Sequence, residues 1–361
     1  MSVLRSVIAV ALLASSCAVP RGATELPGTS DNVHSRVDVT IVTDEADAVV
    51  RILALRAAGR TPAAQDWDRL FQSEGYRRLQ QRELAMQRPF EDTSFQAFAL
   101  SDSLLLRADA LRRTLDAWRR VDASSAAARA FRYLPQHAIV RARIYPVIKP
   151  RSNSFVFEPR TNPAIFLYLD PSLSSAQFEN TLTHELHHIG IANACADTST
   201  DTTVAPGIQS VIDWMGAFAE GRAMLAAAGA AGVHPHATSE AAERAVWERD
   251  LARAHDDMRR MEEFYFDLIE GRLTEEEAGA RGFTFIATAT VPQGAFYTLG
   301  WLMAATIETE FGRDRLVAST CDARMFIGDY QRAAIRRNRA AGDSRPLWSE
   351  ELLRRIGVPD A

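Results

Sequence analysis

Five consecutive residues, His184-Glu185-Leu186-His187-His188, constrain this chain more than any other stretch. Read as H-E-x-x-H on a helix, they set two imidazoles four residues apart on one face with a carboxylate beside them. The flanks supply that helix. Ala164-Ile165-Phe166-Leu167-Tyr168-Leu169 is a short apolar run ended by Asp170-Pro171, which predicts a strand and its terminator. Ser174 and Gln177 then offer a capping box. Beyond them Phe178, Leu182, Leu186 and Ile189 recur at helical spacing and predict one buried side, with Gln177, Thr181, His184 and His188 on the other. With 8 His in 361 residues, a shuffled chain would show the pattern about once in a hundred tries.

The residue types assign roles. Neutral His184 and His188 each present a ring nitrogen suited to Zn²⁺ at about 2.0–2.1 Å. A catalytic site needs one more protein ligand and keeps the remaining position for a water that the ion acidifies. Glu185, one step round the helix, is the candidate general base rather than a ligand. His187 lies within the same turn but has no glutamate in the relation that would make a second motif, so it is expected to support the ligands or to pack. The metzincin continuation, with Gly and then His at set offsets, is missing, because Ile189-Gly190-Ile191-Ala192-Asn193-Ala194 follows. The third metal ligand is therefore expected at Glu220, a single acid amid small and apolar residues between Trp214 and Leu225. Burying it without a partner is costly, and a cation relieves the cost. Gly221 and Ala223 would let a neighbouring helix approach closely, and Asp213, seven residues earlier, is the reserve ligand.

The combination His184-Glu185-x-x-His188, a 31-residue gap, and Glu220-Gly221-x-Ala223 resembles the gluzincin zinc peptidases, specifically a poorly characterised bacterial branch of them. The similarity is looser at Asp66-Trp67 and Glu74-Gly75-Tyr76, and resumes at Tyr133-Leu134-Pro135, Tyr297-x-x-Gly300 and Phe311-Gly312-Arg313. The resemblance implies a zinc-dependent peptidase acting on peptides or proteins, with His184, His188 and Glu220 as ligands and Glu185 as base. It also implies that Tyr297 stands against the developing oxyanion, a contribution of about 3 kcal/mol for donors of that kind. It further implies that Ala164 to Leu169 is an edge strand able to hold substrate backbone by strand addition.

The N-terminus bears on location. Arg5, the apolar Val7 to Ala14 and the small residues before Cys17 predict a signal peptide over residues 1–17. Leu13-Ala14-Ser15-Ser16-Cys17 is similar to a lipobox, so lipidation of Cys17 and a flexible tether over 18–35 would hold an exported protein near a membrane. Cys195 and Cys321 then remain as an even pair in an oxidising space, available for a disulfide or as two thiols. A net charge of -5 without a basic aromatic face argues against nucleic acid as partner. Lys149 is the only lysine.

Pattern changes outline an α+β, predominantly helical fold. Residues 36–135 are expected to form a helical N-terminal lobe after a short strand at Val37 to Val42. Residues 136–361 are expected to form a zincin-like catalytic core, with a small sheet before the zinc helix and one long charged helix from about Ser239 to Gly271. Two other readings compete with hydrolysis: a zinc-binding protein without activity, and a lipid-anchored interaction protein of the cell envelope. Glu185 counts against the first, and the second leaves Glu220 unexplained in its apolar helix. His234-Pro235-His236 could make an extra metal site, though such pairs are more often idle.

Overall fold

The computed structural model describes residues 36–196, 203–339 and 344–358. The expected signal peptide, Cys17 and tether lie outside the described residues. The chain gathers into two compact units. One runs to Ser125 and resumes over Ile139–Glu179; the other comprises Ala126–Ala138 and everything from Asn180 onward. This division differs from a break at residue 135, since the sheet strands group with the N-terminal helices rather than with the zinc region.

In the first unit the elements are β1 (Val37–Ile41), α1 (Asp44–Ala57), α2 (Ala64–Phe71), α3 (Glu74–Ala85), α4 (Asp92–Ala99), α5 (Asp102–Leu105), α6 (Ala108–Trp118), the start of α7 (Ala123–Phe131), β2 (Val140–Val147), β3 (Phe155–Phe157) and β4 (Ala164–Tyr168). The strands form a mixed sheet in the order β1-β2-β4-β3. β1 and β4 both run parallel to β2, with Val37 opposite Val140 and Arg143 opposite Ala164. β3 is antiparallel to β4, with Phe155 opposite Phe166. The strand anticipated as an edge is thus internal, and the edges among the described residues are β1 and β3. The reason is visible in the composition of β4: Ala164, Ile165, Phe166 and Leu167 are all buried, and a continuous apolar run suits a strand covered on both faces and paired on both sides. Tyr145 and Phe155 stack on either side of Phe166, each at 5.0 Å between ring centres.

The zinc helix, α8 (Ser175–Ala194), begins at its capping box, where the Ser174 hydroxyl accepts from the Gln177 amide and the Gln177 side chain accepts from the Ser174 amide. From residue 182 to 187 every position is buried. The polar side predicted from periodicity exists, but it faces protein rather than solvent.

The second unit continues with α9 (Pro206–Gly216), α10 (Ala219–Ala228), α11 (Ala241–Leu251), α12 (Ala254–Ile269), α13 (Glu275–Thr284), α14 (Ala295–Phe311), α15 (Arg313–Ala318), α16 (Ala323–Arg339) and α17 (Glu350–Ile356). The single charged helix anticipated over 239–271 is two helices, α11 and α12, and no Gly or Pro announces the break between them. The core is aromatic-rich, with Phe218, Phe264, Tyr265, Phe296, Phe326, Tyr330 and Trp348 packed together. Within it α10 and α14 meet backbone to backbone. A Cβ on Gly221 would lie 2.0 Å from the Trp301 amide nitrogen and 2.2 Å from the Gly300 carbonyl carbon, so the crossing needs glycine there. Cys195 and Cys321 are disulfide-bonded, joining the end of α8 to the turn before α16. No helix among the described residues is long and apolar enough to cross a membrane.

Candidate metal centre

Helix α8 carries His184 and His188 one turn apart, and α10 brings Glu220 to them. The Nε2 atoms of the two histidines are 3.0 Å apart, and the Oε2 atom of Glu220 lies 3.1 Å from the first and 3.3 Å from the second. Three ligands at about 2.0–2.1 Å from a tetrahedral Zn²⁺ sit roughly 3.3 Å from one another. The observed triangle therefore fits the base of such a site, and its three residues could hold a metal ion. His184 and Glu220 are buried, and His188 is partly covered.

The electrostatics follow from that closeness. Burial alone would raise the Glu220 carboxyl, yet His188 and His184 beside it hold the group well below the usual carboxylate range. His188 moves the opposite way: burial opposes its charge, but the Glu220 carboxylate raises its pKa. Glu185 is pushed up, first by complete burial and then by Glu220, with the two histidines opposing. Neither of its carboxylate oxygens has a hydrogen-bond partner among the described residues. A buried acid in that state leaves two acceptors unsatisfied, a cost of about 1–3 kcal/mol for each group left unmade. Such groups collect where a reacting molecule will complete the bonding.

His187 turns toward the backbone of Tyr133, to which it hydrogen-bonds, and burial drives its pKa well down. Tyr297, in the first turn of α14, is buried, with its ring parallel to that of His184 at 6.2 Å between centres. Burial, with the Glu220 and Glu185 carboxylates nearby, raises its phenol pKa well above its ordinary value. Met224, Trp247 and Tyr297 pack as one small cluster behind the site.

The structure thus brings His184, Glu185, His188, Glu220 and Tyr297 into one neighbourhood. It leaves Asp213 out: that residue is exposed on α9 and bonded by Gln209 at 2.7 Å, and α9 ends before Glu220, so the two do not share a helix face. His236 spends its ring nitrogens on Gln293 at 2.7 Å and on Ser239 at 3.2 Å, and His234 Nε2 lies 3.8 Å from Glu248. Sequence reading passed over Arg222. This guanidinium is buried, sits 4.9 Å over the Phe326 ring and has no carboxylate within ion-pair reach among the described residues; burial pushes its pKa down to about 10. From sequence alone it looks like any surface cation on a helix.

No curated protein and no solved structure matches the chain. One family does, over residues 67–339, a span that takes in both histidines, Glu220 and Tyr297. The chain belongs to that family, DUF5700, whose description reads "Putative zinc dependent peptidase".

Proposed function

We propose that this chain is an exported zinc peptidase in which His184, His188 and Glu220 hold the metal and Glu185 is the general base. The observation that carries the reading is the triangle of three ligand atoms at 3.0–3.3 Å, from buried His184 and Glu220 and partly covered His188, beside a carboxylate with no partner of its own among the described residues. Zinc in that position supplies a Lewis acid that acidifies a water and polarises the scissile carbonyl. Glu185 takes the proton of the attacking water and passes it to the leaving amine as the C–N bond breaks. Its burial supports the task, because a carboxyl raised above its ordinary value holds a transferred proton more readily than a solvated one. Tyr297, kept protonated by its surroundings, is the donor we assign to the developing oxyanion. Export, with Cys17 as a lipid anchor, belongs to the same proposal and rests on the sequence of the first 17 residues.

The test is Glu185→Gln, with bound zinc and cleavage of a quenched fluorescent peptide library measured side by side. The variant should keep one zinc per chain and lose turnover by about 10²–10⁴-fold. Undiminished turnover rejects Glu185 as the base. Wild-type protein that binds zinc and cleaves nothing turns the reading toward a metal-binding protein without activity.

A further inference from the structure

Arg222 carries a charge that the second unit leaves unanswered. The residue keeps only 6 % of its surface accessible. Among the described residues its Nε has no hydrogen-bond partner and no carboxylate lies within ion-pair reach. A guanidinium stays protonated in such a setting and offers five N–H donors in one plane. Its Cζ sits 4.9 Å from the centre of the Phe326 ring, which covers one face. That ring attracts the charge, yet it supplies no acceptor to donors that point outward in the guanidinium plane.

Arg82, the other buried arginine among the described residues, shows the same arrangement completed. It lies 3.9 Å over the Phe155 ring and also pairs with the Glu83 carboxylate at 2.6 Å. Arg222 has the ring without the anion. A buried charge is tolerated when a hydrogen-bonded partner of opposite sign neutralises it and is costly when none does. Glu220 is not that partner, although it lies two residues earlier on α10. Two residues turn a helix by about 200°, and the Glu220 carboxylate is spent on His184 and His188.

We propose that Arg222 binds a small monovalent inorganic anion of the halide class, seated at the in-plane edge of the guanidinium beside Phe326. The charge follows from the surroundings: Phe326 and Phe218 belong to the apolar core of the second unit, where one negative charge balances the cation and a dianion would leave a surplus. The size follows from enclosure, since a side chain so nearly covered has room for an ion at its edge and none for a peptide chain. This site is separate from the zinc reading, because it lies on the side of α10 turned away from the ligand triangle.

Two measurements on the full chain test it. Thermal unfolding is followed while sodium chloride replaces sodium gluconate at constant ionic strength, which holds screening fixed. Chloride should raise the Tm of wild type by a few degrees along a saturable curve, and the rise should vanish in Arg222→Met, which keeps an apolar side chain of similar length. Crystals of wild type soaked in sodium bromide should show an anomalous peak within hydrogen-bond reach of the guanidinium, a result that does not depend on the variant folding. A wild-type Tm indifferent to chloride overturns the proposal, and a bromide peak without that stabilisation marks an adventitious ion only. A chloride effect that persists undiminished in Arg222→Met places the ion elsewhere and overturns it equally.

Discussion

Glu45 shows what a single buried acid does to this molecule. It lies almost wholly inside the first unit, where its Oε2 accepts from the Ile148 amide at 3.1 Å and its Oε1 has no partner among the described residues. Burial pushes its pKa from 4.5 up to about 8, with Asp44 adding and Lys149 subtracting. The folded state thus holds a proton that the unfolded chain has released between pH 4.5 and 8. The stabilisation is complete below pH 4.5 and is lost as pH rises through 8, an effect of up to about 5 kcal/mol. Lys149, pushed down to about 7 by its own burial, gives the opposite slope from there upward. Glu45→Gln should therefore flatten the dependence of the urea midpoint on pH between 4.5 and 8; an unaltered profile would mean that Glu45 is ionised in the fold. At this scale the metal cluster was legible for a simple reason. His184 and His188 are fixed relative to each other by helix geometry alone, and Glu220 is conspicuous as one acid in an apolar run. Asp213 was a poor reserve because a helix end, invisible in the hydropathy pattern, separates it from Glu220.

Among the elements, the crossing of α10 and α14 decides how well the site is built. An alanine at position 221 would drive its methyl into the Trp301 amide nitrogen and the Gly300 backbone, which cannot rotate away as a side chain could. Gly221→Ala should cost about 1–3 kcal/mol, read from denaturant unfolding, and should also weaken zinc binding because Glu220 moves with its helix. Gly279, inside α13, is the control, since nothing lies within 4 Å of a Cβ placed there. Gly279→Ala should stabilise by roughly 0.4–1 kcal/mol. Comparable losses at both positions would show that glycine is needed for backbone freedom and not for the approach of the helices. Gly221 was readable as a point of close approach, but its partner at Gly300 was not, since pairing of helices 79 residues apart leaves no local trace. The same gap explains the misassigned edge: hydropathy announces a strand at Ala164–Tyr168, while neighbours on both sides are supplied from elsewhere in the chain.

For the molecule as a whole, the disulfide sets the largest single constraint. Cys195 and Cys321 are 126 residues apart, and closing a loop of that length in the unfolded chain gives up to about 4–5 kcal/mol by the entropic argument. Replacing both by serine should lower the free energy of unfolding by about 2–4 kcal/mol in urea titrations; a loss under 1 kcal/mol would mean that residual structure already restrains the unfolded chain as the bridge does. Pairing was expected from an even count in an oxidising compartment, but two cysteines can equally stay thiols, and only their juxtaposition decides. The amino-acid sequence on its own determined the zinc helix, its cap, the donor set and the predominantly helical α+β character, because each depends on spacing within a few turns or on composition. Tertiary structure alone decided that the helix is covered on its polar side, that β4 is internal, that Glu185 lacks a partner among the described residues and that the Tyr297 ring lies parallel to His184. Those facts depend on which distant segments meet, and burial then turns ordinary polar side chains into groups with displaced proton affinities and defined partners.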